Sequence, residues 1–201
     1  LRGGRGEAGG RGGADHAGAA FLGGIALDTP TREAARDLGA RDREEFLPAD
    51  PVAFVETQLD ALDGVPSRPG VNVRAASPEP ISEVAAVCAP HDAIVEINAH
   101  CRQPEMCAAG CGQRLLGEPD RLRAFVAAAS DAGAATSVKV RAEVPGVDLP
   151  DVARTAAAAG ADALHVDAMD SEPVVREVAA AAPSLFVIAN HEVRGPESGP
   201  E

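Results

Sequence analysis

Short segments rich in Val, Ile and Ala alternate with amphipathic segments along this chain, and that alternation constrains its fold more than any other feature. Residues 19–27, 71–75, 93–97, 136–140, 163–166 and 185–189 read as six strands. Between and beside them, residues 29–38, 52–62, 77–88, 121–132, 149–159 and 172–182 read as helices. Each helix is entered through a proline close to an Asp, Glu or Ser, and Gly133 and Gly160 stop two of them. Asp28, Asp50 and Asp151 are expected to serve as caps rather than catalysts. Apolar strands joined by amphipathic crossover helices imply a parallel sheet with its outer surface covered by helices. A doubly wound open sheet and a (β/α) barrel both satisfy the pattern.

Residues 1–18 have a different character. Leu1 to Gly13 is mostly Gly and Arg, which cannot bury apolar surface, so the segment is expected to be disordered. An RGG-type RNA-binding tail and a misread start are its two readings. The remainder, 19–198, reads as one domain. At 201 residues and 45% hydrophobic the chain can build one core, but it is short for a complete barrel of about 250 residues.

The net charge of −13 argues against a generic nucleic-acid surface, which needs a basic stripe. With 2% aromatic residues and neither Trp nor Tyr, few platforms exist for stacking bases. The acidity suits a salt-rich, halophilic cytoplasm; the preference for Arg over Lys equally fits a GC-rich genome. No apolar run reaches the ~18 residues of a membrane span and nothing resembles a signal peptide, so a cytoplasmic location and no membrane partner are expected. The cysteines Cys88, Cys101, Cys107 and Cys111 are therefore expected to be free thiols.

Polar residues fall where such strands end. Asn72 lies in the second strand; Asn98, His100 and Cys101 follow the third. Lys139 and Arg141 close the fourth, His165 and Asp167 the fifth, and Asn190 and His191 the sixth. Lys139 is the only lysine of the chain and sits where an apolar residue would be usual. Five consecutive strands thus deliver amide, imidazole, thiol or cationic groups to one edge. A barrel gathers such ends around one mouth, whereas an open sheet spreads them out. That favours the barrel, with about six of its eight strands present.

The order of these residues resembles the flavin-dependent tRNA-dihydrouridine synthase family, in particular its archaeal TIM-barrel branch. The family's Asn-x-Gly-Cys-Pro loop corresponds to Asn98-Ala99-His100-Cys101-Arg102, and its Gly-rich stretch with Leu-Leu to Gly110-Cys111-Gly112-Gln113-Arg114-Leu115-Leu116. Its Lys-x-Arg strand corresponds to Lys139-Val140-Arg141, its strand ending in His to Ala163-Leu164-His165, and its Asn-Gly segment to Asn190-His191. The resemblance implies an FMN cofactor, reduced by NADPH or NADH, and reduction (or oxidation) of the C5–C6 bond of a uracil ring. It implies that Lys139 stabilises the anionic reduced flavin, that Asn72 and Asn98 bind the flavin ring, and that His165 contacts flavin or phosphate. It places the phosphate near Asn190 and makes Cys101 the proton-transfer residue. A thiol of unperturbed pKa ~8.5 is protonated at neutral pH yet able to release its proton.

Two departures from the pattern matter. His100-Cys101-Arg102 replaces Gly-Cys-Pro, so an imidazole joins the catalytic loop, and a cationic neighbour lowers a thiol's pKa. The family's first strand, its last strand and its helical RNA-binding domain have no counterpart here, and the chain is expected to be a fragment. A dihydroorotate or dihydropyrimidine dehydrogenase-like enzyme acting on a free pyrimidine is the alternative to a tRNA substrate. A non-catalytic, degenerate barrel is the third. The C-x5-C-x3-C spacing of Cys101, Cys107 and Cys111 matches no common zinc or iron–sulfur pattern, so no metal is expected.

Overall fold

Six strands form at the expected places: β1 (Ala19–Ala26), β2 (Arg68–Arg74), β3 (Ile94–Asn98), β4 (Ala135–Arg141), β5 (Ala163–Asp167) and β6 (Phe186–Asn190). In this computed structural model, residues 18–41, 45–168 and 171–190 are described. The Gly/Arg-rich segment through residue 17, His191 and the expected end of the domain lie outside them. Among the described residues seven α-helices intervene: α1 (Thr29–Gly39), α2 (Pro51–Asp60), α3 (Glu79–Cys88), α4 (Pro104–Ala108), α5 (Pro119–Asp131), α6 (Leu149–Ala158) and α7 (Glu172–Ala181).

All neighbouring strands pair in parallel, in the order β1-β2-β3-β4-β5-β6. Each crossover carries at least one helix. The result is an incomplete (β/α) barrel, with β1 and β6 as the two edges of one curved sheet.

Strand pleating sorts the side chains into two populations. Val71, Val73, Val95, Ile97, Val138, Val140, Leu164 and Val166 face outward and are buried in one continuous core. Val84 and Ile81 from α3, Leu122 and Phe125 from α5, and Val152 and Ala156 from α6 complete that core. Burial of each large aliphatic side chain contributes about 1.5–3 kcal/mol. The alternate residues, Asn72, Glu96, Asn98, Ser137, Lys139 and His165, face the concave side. They carry the chemistry, and the outward layer holds them in place.

Capping follows the sequence reading at two of three positions. The Asp28 carboxylate accepts the Thr31 N–H at 3.2 Å and the Ala76 N–H at 2.6 Å, so it caps α1 and ties down the turn after β2. Asp50 accepts the N–H groups of Val52 and Ala53 at 3.0 Å. For α6 the cap is Asp148, which accepts the Asp151 N–H at 2.9 Å. Asp151 is already inside the first turn. The helix begins at Leu149, as expected, and Pro150 fits its first turn because its missing N–H falls where no intrahelical partner exists.

A smaller apolar cluster lies beside the main core. Ala34, Ala35 and Leu38 of α1 meet Met106 and Cys111 there, with Cys101 and Ala109 packed against them. Cys107 lies on α4, whereas Cys111 comes after that short helix ends. Among the described residues, no helix is long and apolar enough to cross a membrane.

Candidate functional site

Strand register assembles the concave polar residues into rows. Asn72 stands beside Glu96 and Glu96 beside Ser137. One step nearer the carboxyl ends, Asn98 stands beside Lys139 and Lys139 beside His165. At the rim, Arg141 stands beside Asp167 and Asp167 beside Asn190. In-register residues on parallel neighbours project to the same face, so five strands furnish one polar surface.

That surface encloses a cavity of about 220 Å³ lined by Asn72, Asn98, His100, Lys139, His165 and Asn190, together with Phe21, Gly23, Gly24, Arg74 and Glu96. Six of the ten polar residues singled out in the sequence line it; Arg141 and Asp167 are not part of the lining, and His191 lies outside the described residues. Cys101 does not line it either: its side chain packs against the Met106–Cys111 cluster on the neighbouring face of the loop. The loop itself is held by backbone bonds, with the Cys101 carbonyl accepting the Gln113 N–H at 2.8 Å. Gly112 makes that approach possible. Its φ is +66°, and a Cβ there would fall 2.3 Å from the Cys101 carbonyl oxygen.

A buried hydrogen-bond chain runs beneath the cavity. The Asn98 amide donates to Asn72 Oδ1 at 2.8 Å, and the Asn72 amide donates to Glu96 Oε1 at 2.8 Å. Glu96 Oε2 lies 2.8 Å from His165 Nδ1 and 3.5 Å from the Ser137 hydroxyl, which donates to it. Above, Asn98 Oδ1 accepts the Cys101 N–H at 3.1 Å. The chain therefore reaches from β5 to the loop after β3.

Glu96 is the residue that sequence reading missed. It lies within the apolar run 93–97, whose pattern marks it only as part of a strand. The available signal was a carboxylate at the centre of a buried strand, which needs partners wherever it occurs. Arg74 and Phe21 were also missed. Arg74 pairs with Glu45 in a largely buried ion pair. The Phe21 ring lies against Gly70, where a Cβ would come within 2.5 Å of it, and 6.2 Å from the His165 ring.

Lys139 and Arg74 bring positive charge close to His100. Burial, then the charges of Lys139 and Arg74, push the His100 imidazole down to about 3. His100 is thus a neutral ring at physiological pH and not the cation that would lower the neighbouring thiol's pKa. Among the described residues, no side chain forms an ion pair with Lys139.

Four buried polar atoms of the lining have no hydrogen-bond partner among the described residues: His165 Nε2, His100 Nδ1, Arg74 Nε and Asn190 Oδ1. Buried polar groups are nearly always partnered, so their concentration in one cavity points to a ligand. They offer both donors and acceptors. By contrast, a larger hollow of about 580 Å³ at the amino-terminal ends of the strands is apolar. Its charged groups are engaged, Arg68 with Asp92 and Asp162 with the Thr136 N–H. Among the described residues, no group of three His, Cys, Asp or Glu side chains is placed to hold a metal ion.

Fold and site together define a TIM-barrel protein with its polar cavity at the carboxyl ends of the strands, where enzymes of this fold carry their active sites. No established family profile matches the chain. An uncharacterised protein of Methanocaldococcus jannaschii is 30% identical over 122 residues, covering 60% of this chain and 47% of that protein. The chain thus spans about half the length of the curated relative it matches.

Among solved structures, 2,3-dimethylmalate lyase, a member of the PEP mutase/isocitrate lyase superfamily, superposes with a TM-score of 0.62 and 12% identity over 96% of this chain and 66% of that one. DHODH of Eimeria tenella, in complex with ferulenol, superposes with a TM-score of 0.56 and 15% identity over 74% and 54%. Both are enzymes, and at these identities the likeness is one of fold. Neither of these two solved structures is a dihydrouridine synthase.

Proposed function

We propose that this chain carries the cofactor cavity of an FMN-dependent oxidoreductase acting on the C5–C6 bond of a uracil ring, as in dihydrouridine synthases. The observation that supports it most is the convergence on one cavity at the strand ends of Lys139 and four buried polar atoms, all without ion-pair or hydrogen-bond partners among the described residues. These groups suit the pyrimidine end of a flavin: cationic donors for its carbonyl oxygens, and acceptors for its ring N–H. At about 220 Å³ the cavity is smaller than the ~300–1,000 Å³ of pockets that enclose a whole ligand, so it admits a ring end only. The ribityl phosphate has to be held by other residues.

When bound, FMN supplies hydride transfer. The protein's part is to bind and orient. Lys139 opposes negative charge at the pyrimidine end. Asn72 and Asn98 hold the cavity wall and, through the Cys101 N–H, the loop above it. Cys101 is the proposed proton-transfer residue at substrate C5. Its side chain packs beside Met106 and Cys111, so it reaches the cavity only if residues 99–103 turn. His100 already lines the cavity as a neutral imidazole and is the second proton-transfer candidate.

The net charge of −13 favours a free pyrimidine over tRNA, because a polyanion is repelled by such a surface. Three measurements test the reading. Purified protein binds FMN and turns yellow; a colourless protein that ignores added FMN leaves a non-catalytic barrel. Reduced protein is reoxidised by uracil or orotate, whereas reoxidation by tRNA alone assigns the nucleic-acid substrate. Cys101→Ala retains FMN and loses substrate reduction; full turnover in that variant, with loss in His100→Gln, moves the proton-transfer role to His100.

A further inference from the structure

We infer that Glu96 is a positioning residue: it fixes the tautomer of His165 so that an unprotonated Nε2 faces the cavity and accepts the N–H of an imide-bearing ring. The ligand class rests on the flavin and pyrimidine reading above, whereas the tautomer does not.

Both partners are almost fully buried, at 1% for Glu96 and 3% for His165. Three groups converge on the carboxylate: the Asn72 amide at 2.8 Å, the Ser137 hydroxyl at 3.5 Å and His165 Nδ1 at 2.8 Å. An amide N–H and a hydroxyl can both donate, and an ionised carboxylate is an acceptor only. Its remaining short contact is therefore satisfied when the imidazole proton sits on Nδ1. In the neutral ring this leaves Nε2 as an acceptor.

Nε2 is itself buried and has no partner among the described residues. The Phe21 ring, 6.2 Å away and tilted by 43°, packs beside the imidazole and restrains its rotation. Around the same cavity stand donors, the Lys139 ammonium and Arg74 Nε–H, and one further acceptor, Asn190 Oδ1. An imide presents an N–H between two carbonyl oxygens. Acceptors flanked by donors are its complement; a cytosine-type edge, whose ring nitrogen is an acceptor, would set acceptor against acceptor at Nε2.

The test is ring nitrogen NMR of the full chain labelled with ¹⁵N-histidine, with the His165 signals assigned from their loss in His165→Gln. The expected pattern is Nδ1 protonated and Nε2 bare. In Glu96→Gln the carboxamide can donate to Nδ1, so the tautomer reverses, and Glu96→Asp restores the original pattern. A wild-type ring protonated on Nε2, or a tautomer unmoved in Glu96→Gln, overturns the positioning role. The wild-type spectrum alone decides this if Glu96→Gln fails to fold.

Adding FMN or uracil is expected to shift the Nε2 resonance, while 3-methyluracil, which lacks the N–H, leaves it unmoved. FMN affinity in Glu96→Gln is expected to fall about tenfold, the worth of one buried hydrogen bond. FMN binding with an unmoved Nε2 overturns the ligand assignment but leaves the flavin reading standing. An absence of FMN binding, with a tautomer that still depends on Glu96, overturns the flavin reading and supports the positioning role.

Discussion

Asn98 Oδ1 accepts the backbone N–H of Cys101 at 3.1 Å while the Asn98 amide donates to Asn72 at 2.8 Å. One buried side chain thus joins the loop after β3 to the polar floor of the cavity. Its position follows from strand geometry: Asn98 is the last residue of β3, in register with Lys139.

Asn98→Ala removes both bonds and leaves Asn72 Oδ1 without a donor. An unpartnered buried polar atom costs about 1–3 kcal/mol. Urea unfolding is expected to show a loss of that size. Faster amide exchange at Cys101 is expected alongside it. An unchanged midpoint and unchanged exchange would show that the loop is held from elsewhere.

Lys139→Met is expected to separate binding from stability. Among the described residues the ammonium has no ion-pair partner, so its removal breaks no ion pair among them and the unfolding midpoint is expected to stay within experimental error. FMN affinity falls about tenfold or more, one lost charged contact being worth ~1.5–3 kcal/mol, and the potential of bound flavin drops as its anionic reduced form loses a cation. Fluorescence titration and redox titration read the two effects. Unaltered affinity and potential remove Lys139 from the flavin site.

The His100 imidazole, pushed down to about 3 by burial and by Lys139 and Arg74, makes stability depend on acidity. In the unfolded chain the ring titrates near ~6.5, so between about 6.5 and 3 the unfolded state binds more protons. Stability from the neutral ring is complete above ~6.5 and is lost as pH falls towards 3, by at most ~1.4 kcal/mol per pH unit. His100→Gln is expected to flatten that slope relative to wild type in denaturation series from pH 7 to 4. Parallel profiles for the two proteins exclude a neutral His100 in the folded chain.

Thiol chemistry divides the four cysteines. Cys88 and Cys111 are fully buried, and burial raises both thiols to about 12. Alkylation of native protein at pH 8, followed by mass spectrometry, is expected to modify Cys101 and Cys107 and to spare Cys88 and Cys111 until the chain unfolds. Rapid native labelling of Cys111 would mean that the cluster beneath the Cys101 loop opens readily.

The sequence by itself determined the elements of this protein: six strands, the crossover helices, and the caps at Asp28 and Asp50. Periodicity, proline and capping act over a few residues, so they are legible along the chain. It also identified Asn72, Asn98, His100, Lys139, His165 and Asn190, because polar residues ending apolar strands stand out. Tertiary structure alone decided which of these meet, and how. Glu96 became the centre of the polar floor only when β2, β4 and β5 brought Asn72, Ser137 and His165 against it. Cys101, adjacent to His100 in sequence, packs outside the cavity because α1 and α4 offer its side chain an apolar cluster. Strand register and helix packing are long-range relations between segments, and no local pattern encodes them.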